Sequence, residues 1–271
     1  MRHAVIHGTR LEVRHIPGAP ELAPLVFLHE GLGCVAMWTQ RGRDWPQQLC
    51  AATGRAGWLY SRRGYGQSDP VPDVRGTPRT EGFWHVGRHE PDYMHLEAFE
   101  VLPRLLESLE IRSPVLVGHS DGATIALLHA SRHPVTATVA MAPHVVVEEL
   151  SIRSIEQART AYMSAADGNL RARLARYHRD VDNAFWQWND VWLSPAFRAF
   201  DIRGECSRIE APVLAVQGVD DEYGTLRQIE DIQRQNPSAH TLVLPACGHS
   251  PHRDQPEALT DAVSRFLAGW P

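Results

Sequence analysis

Val115-Leu116-Val117-Gly118-His119-Ser120-Asp121-Gly122-Ala123-Thr124-Ile125-Ala126-Leu127-Leu128-His129-Ala130 is the stretch on which the fold turns. A short apolar run of the kind a buried strand needs is followed at once by an Ala- and Leu-rich run that favours helix. Between them, Gly118-His119-Ser120-Asp121-Gly122 fits G-x-S-x-G. In that sharp turn the serine sits at an unfavourable backbone angle, with its hydroxyl at the top of a sheet. The flanking glycines have a steric task, because nothing larger fits easily where the strand turns back against the helix. Five residues alone recur by chance, and an ordinary glycine-rich turn looks the same. The placement between strand and helix gives the pattern its weight.

A serine hydroxyl is a poor nucleophile at neutral pH and needs a base within hydrogen-bond reach, itself oriented by a third group. Both partners are found downstream. Gly218-Val219-Asp220-Asp221 follows the strand-like run Val213 to Val216, and Gly248-His249-Ser250-Pro251 follows the next one, Leu242 to Leu244. Neighbouring strands bring both to the same edge, so His249 is the expected base and Asp221, in preference to Asp220, the expected acid.

Outward from these motifs, short β-rich runs alternate with longer helical ones, the signature of a parallel sheet covered by helices. Ala4 to Ile6 and Leu11 to His15 suit an antiparallel hairpin at a sheet edge, and Leu25-Val26-Phe27-Leu28 is a run expected for a strand buried on both faces. A helix is expected from Trp38 to Ala52, a strand at Trp58-Leu59-Tyr60, a long loop over 69–92 and a helix from Tyr93 to Leu109. After a strand at Val135 to Met141 the strand rhythm stops. Residues 145–205 read as a helical insertion, rich in Arg and aromatic residues, between two parts of one core domain, 1–144 and 206–271. Helices near Leu226 to Arg234 and from Pro256 to Leu267 complete the pattern.

From Leu25 to the C-terminal helix the chain resembles the α/β-hydrolase superfamily. The matching segments are His29 to Gly33, Arg63-Gly64-Tyr65-Gly66-Gln67-Ser68, Gly118 to Gly122, Gly218 to Asp221, and Gly248 to Pro251. The chain order Ser, Asp, His is the one that superfamily uses. The resemblance implies a mostly parallel eight-stranded sheet flanked by helices, with a helical lid inserted after the sixth strand. It also implies an oxyanion hole made by the backbone N–H groups of Asp121 and Gly31. Glu30 stands where the superfamily usually has glycine, and Leu32 is the competing donor.

Two acids, Glu30 and Asp121, therefore stand beside the expected site, where carboxylates favour cationic substrates. The plainer expectation is that Glu30 pairs with Arg41, Arg43, Arg62 or Arg63 and that Asp121 caps the following helix. Phe185-Trp186-Gln187-Trp188-Asn189-Asp190-Val191-Trp192 carries three indoles in eight residues. Trp186, Trp188 and Trp192 are expected either to line an apolar pocket or to form the insertion's own core. His144, just past a strand, is a further pocket candidate, and Cys247 is expected to pack.

Composition narrows the field. The 271 residues are 43% hydrophobic and 22% charged, with net charge −5 and no block of like charges, so a folded core is expected and nucleic acid is not an expected partner. No apolar run approaches the roughly 18 residues of a membrane span, and the N-terminus has no signal-like stretch, so a cytoplasmic protein with a small-molecule substrate is expected. The four cysteines read as reduced thiols, and none of the fifteen histidines falls in a zinc spacing. No metal or cofactor is implied, and the oligomeric state is not legible. The expected reaction is hydrolysis of carboxylic esters of a small aromatic or apolar substrate through an acyl-enzyme. The same triad serves lactones, thioesters, amides and C–C bonds, and likeness of fold does not separate these. A non-catalytic binding protein on this fold is the alternative of another class; a missing triad member would mark it, and none is missing.

Overall fold

The computed structural model describes residues 2–270. Its centre is an eight-stranded sheet of β1 (Arg2–Ile6), β2 (Thr9–Ile16), β3 (Leu25–Leu28), β4 (Gly57–Tyr60), β5 (Val115–His119), β6 (Ala137–Met141), β7 (Val213–Gly218) and β8 (His240–Leu244). The spatial order is β1-β2-β4-β3-β5-β6-β7-β8. β1 and β2 form an edge hairpin and β2 meets β4 antiparallel; every later pairing is parallel. The run Leu25–Leu28 is fully buried because alternate residues serve two cores: Val26 and Leu28 join one apolar cluster, Leu25 and Phe27 the other, across the sheet.

Parallel pairing sends the carboxyl ends of β3, β5, β7 and β8 to one rim, and the register fixes what meets there. Leu28 lies opposite Gly118, and Gly218 opposite Leu244. The loops after these four strands, which carry Glu30, Ser120, Asp221 and His249, are thereby neighbours before any side chain is placed. Helix Asp121–Ala130 follows β5 directly and is buried at all ten positions. Its polar Thr124 is satisfied inside the core: the hydroxyl donates to the His144 carbonyl at 2.9 Å and accepts from the His144 N–H at 3.0 Å. Left unpaired, such a group would cost about 1–3 kcal/mol.

Three segments differ from the expected elements. The helix expected from Trp38 starts only at Trp45 and runs to Thr53, because Arg41 and Gly42 both take positive φ and turn a small hairpin, Thr39–Gln40 against Arg43–Asp44. Asp44 then caps the helix by accepting from the Gln47 N–H. A second small hairpin, Thr80–Glu81 with Trp84–His85, interrupts the long loop. The helical stretch from Tyr93 to Ser108 widens to a π turn over Glu97–Val101, just ahead of Pro103, which has no N–H to donate and crowds the preceding turn.

Between β6 and β7 the chain is helical, with helices Glu149–Met163, Leu170–Leu174, Val181–Trp192 and Arg203–Cys206. The one over Val181–Trp192 is capped by Asp180, whose carboxylate accepts from the Asn183 N–H. Among the described residues no helix is long and apolar enough to cross a membrane.

Candidate active site

Ser120 sits at the end of β5 with φ 54° and ψ −120°, a conformation that a β-carbon opposes. The structure around it leaves no alternative path. A β-carbon at Gly118 would stand 2.3 Å from the Gly122 carbonyl oxygen, and one at Gly122 would stand 2.1 Å from that of Leu28. Both flanking positions therefore admit only glycine, and the strained turn projects the serine hydroxyl away from the sheet.

His249 Nε2 lies 2.9 Å from Ser120 Oγ, and His249 Nδ1 lies 2.9 Å from each oxygen of Asp221. Asp220 is exposed and takes no part. The Asp221 carboxylate is fixed by three further donors: the Gln217 amide at 2.6 Å, the Tyr223 N–H at 2.7 Å and the Gly224 N–H at 3.2 Å. Sequence patterns pointed to none of the three. Burial would raise the Asp221 pKa, but His249 and the Tyr223 N–H outweigh it and hold the carboxyl below its usual value. Burial likewise opposes the imidazolium of His249, yet Asp221 beside it raises its pKa. Glu222 adds to that effect and accepts from the backbone N–H of His249 at 3.1 Å.

The N–H groups of Gly31, Leu32 and Asp121 have no acceptor among the described residues, and all three residues line the cavity at Ser120. The loop that carries the first two is held through its carbonyls. The buried Arg62 guanidinium donates to the His29 carbonyl at 2.5 Å and to that of Glu30 at 3.0 Å. Glu30 itself meets none of the arginines expected for it; its carboxylate lies 3.0 Å from His119 and 3.9 Å from Arg253. Nor does the Asp121 side chain cap its helix. It is fully buried and accepts from the Tyr93 hydroxyl at 2.6 Å, with Arg62 at 3.9 Å. Burial raises its pKa against the opposing pull of Arg62 and Tyr93.

A cavity of about 240 Å³ opens onto Ser120. Leu32 and Met37 line it from the core, and Ile155, Leu170, Leu174, Trp188 and Trp192 line it from the helices between β6 and β7. Glu30, Glu222 and Arg253 also line it. His144 faces the cavity with its ring 4.9 Å from that of Trp192; burial lowers its pKa to about 3, so it is a neutral imidazole, and its Nδ1 has no partner among the described residues. Trp186 is not among the lining residues. Its ring carries the Arg75 guanidinium at 3.8 Å. Cys247 is buried in the core, and burial pushes its thiol up to about 12, which keeps it un-ionised.

A family model described as the alpha/beta hydrolase family matches residues 25–262. The sn-1-specific diacylglycerol lipase ABHD11 of Mus musculus is 23% identical over 93% of this chain and 83% of its own. Among solved structures, the enol-lactonase from Burkholderia xenovorans LB400 superposes with a TM-score of 0.72 at 21% identity, over 98% of this chain and 100% of its own. The proline iminopeptidase of Mycobacterium smegmatis gives 0.72 at 16% identity, over 99% and 97%. At these identities the likeness is one of fold. The three names span lipid ester, lactone and peptide chemistry.

Proposed function

Since the chain belongs to the alpha/beta hydrolase family, we propose that it is a serine hydrolase that cleaves carboxylic esters of a small apolar or aromatic acid through an acyl-enzyme on Ser120. The observation that carries this reading is the unbroken hydrogen-bonded chain from Ser120 Oγ through His249 to Asp221, with the serine in a strained turn. In the proposed sequence neutral His249 takes the Ser120 proton through Nε2 as Oγ attacks the carbonyl carbon. Asp221, bonded to Nδ1, holds the productive tautomer and stabilises the imidazolium. The N–H groups of Gly31 and Asp121 receive the oxyanion, a role worth about 2.7–4 kcal/mol per donor in comparable sites. Collapse passes the proton from His249 to the leaving alcohol. Water, deprotonated by the same imidazole, then releases the acid and restores the serine.

The cavity supports a small substrate. An apolar hole of about 150 Å³ takes one benzene ring, so about 240 Å³ suits a ring with a short chain. Trp188 and Trp192 would contact that acyl group, and neutral His144 would offer it a hydrogen bond. The helices over residues 149–206 would act as a lid, since five of their side chains line the cavity.

The test is twofold. A fluorophosphonate should label Ser120, and p-nitrophenyl esters of graded acyl length should be hydrolysed by the wild type and not by Ser120→Ala. Hydrolysis indifferent to that substitution overturns the mechanism. No adduct on well-folded protein overturns the enzymatic reading itself.

A further inference from the structure

His119, the residue before Ser120, is enclosed by two acceptors. Its Nε2 lies 2.6 Å from the His249 carbonyl oxygen, and its Nδ1 lies 3.0 Å from Glu30 Oε2. A neutral imidazole has one N–H and satisfies one acceptor; a carbonyl oxygen never donates, so Nε2 must carry a proton. Nδ1 then faces a carboxylate oxygen at hydrogen-bond distance, which requires a second proton on the ring or on the carboxyl. The surroundings decide between these. Burial favours a neutral Glu30, but the Arg253 guanidinium, a permanent cation 3.9 Å from the same carboxylate oxygen, favours the charged form, and the carboxyl is held well below its usual range. The second proton therefore resides on His119.

We propose that His119 and Glu30 form a buried imidazolium–carboxylate pair that locks the Gly31 loop to the serine turn and to the backbone of His249, making both of them positioning residues. Each partner is one residue from a group the reaction uses: Glu30 precedes Gly31, and His119 precedes Ser120. The third contact, to the His249 carbonyl, ties the base to the same ring. The departure of Glu30 from the superfamily's usual glycine is thereby accounted for, and its carboxylate is already engaged instead of awaiting a cationic substrate. The groups that face the pair are Arg253, His252 and the ring of His249 from the C-terminal segment, His29 from the loop itself and His178 from beyond it.

The kinetic consequence rests on the proposed hydrolase reading, but the protonation does not, so two readouts separate them. In ¹⁵N spectra of histidine-labelled protein, with the signal assigned by its loss in His119→Gln, both ring nitrogens of His119 should be protonated at neutral pH. In Glu30→Gln the side-chain amide can donate to Nδ1, and only Nε2 should be protonated. On esters, Glu30→Ala should lower kcat by up to about 100-fold, the cost of losing an oxyanion donor, and Glu30→Gln should restore most of it. A singly protonated His119 in the wild type overturns the pair. A kcat unchanged in Glu30→Ala, or lowered there and not restored in Glu30→Gln, overturns its positioning role. A chain that hydrolyses no ester refutes the functional reading and leaves the spectra to decide the pair.

Discussion

Tyr93 and Asp121, 28 residues apart, are joined by a buried 2.6 Å hydrogen bond from the tyrosine hydroxyl to the carboxylate that follows Ser120. The hydroxyl in turn accepts from the Trp192 indole N–H at 2.9 Å. The chain from Trp192 to Asp121 thus links a helix over the cavity to the first turn of the helix behind the serine.

The link separates what the Asp121 backbone does from what its side chain does. Asp121→Asn keeps the N–H proposed for the oxyanion and removes a buried charge, so kcat should stay within about tenfold, against a far larger loss for Ser120→Ala. Tyr93→Phe leaves both Asp121 and the Trp192 N–H without their partner and should destabilise the fold by about 1–3 kcal/mol, read as a lower Tm. A loss of kcat in Asp121→Asn as deep as that of Ser120→Ala would give the carboxyl itself a chemical role.

The pH profile follows from His249. Burial disfavours its charged form, but Asp221, with Glu30 and Glu222, outweighs that and raises the pKa. In the proposed mechanism His249 must be neutral to accept the serine proton, so kcat/KM should fall on the acid side with a midpoint above the ordinary histidine value of about 6.5. Glu222→Gln preserves an acceptor for the backbone N–H of His249 and removes a negative charge, so the midpoint should move to lower pH. The stability sign is opposite. A raised histidine contributes to folding below its unfolded pKa, and that contribution is lost as pH rises through the folded value. An acid limb that stays in place in Glu222→Gln would show that Glu222 does not reach the imidazole electrostatically.

Trp186 and Trp188 should behave differently although both were pocket candidates. Trp188 lines the cavity, whereas Trp186 lies under Arg75 and Arg159. Trp186→Leu should leave KM unchanged and cost about 0.5–1 kcal/mol, the size of an exposed cation–π contact. Trp188→Leu should change KM and the acyl preference. Equal effects on KM in the two variants would contradict this assignment.

What the sequence made legible is what local chemistry dictates. The strand Leu25–Leu28, the glycine-flanked Ser120 and the acid and histidine just past β7 and β8 each announce themselves within a few residues, and parallel pairing does the rest. The contacts of Glu30 and Asp121 were not legible, because His119 and Tyr93 reach them through the packed fold; in sequence Tyr93 is one more apolar position on a helix. The split between tryptophans was partly readable. Positions 188 and 192 share a helix face at i,i+4, and 186 falls on the opposite side. The small hairpin at Arg41-Gly42 was missed because its flanking strands are two residues long, too short for periodicity to register.

Leu170 offers the sharpest control over the substrate. It begins the short helix Leu170–Leu174, lines the cavity and is only partly buried, so shortening it enlarges the proposed acyl site with little damage to the core. One methylene in an apolar pocket is worth about 1–3 kcal/mol in discrimination, or 10–200-fold. Leu170→Ala should therefore raise kcat/KM for p-nitrophenyl esters two or three carbons too long for the wild type by about tenfold or more, relative to the short esters. Leu170→Trp should do the reverse by filling the same space. Because Leu170, Ala and Trp are all uncharged, and the His249 shift comes from Asp221, Glu30 and Glu222, neither variant should move the acid limb of the pH profile. An acyl preference unmoved by both substitutions would mean that the acyl group binds elsewhere than in this cavity.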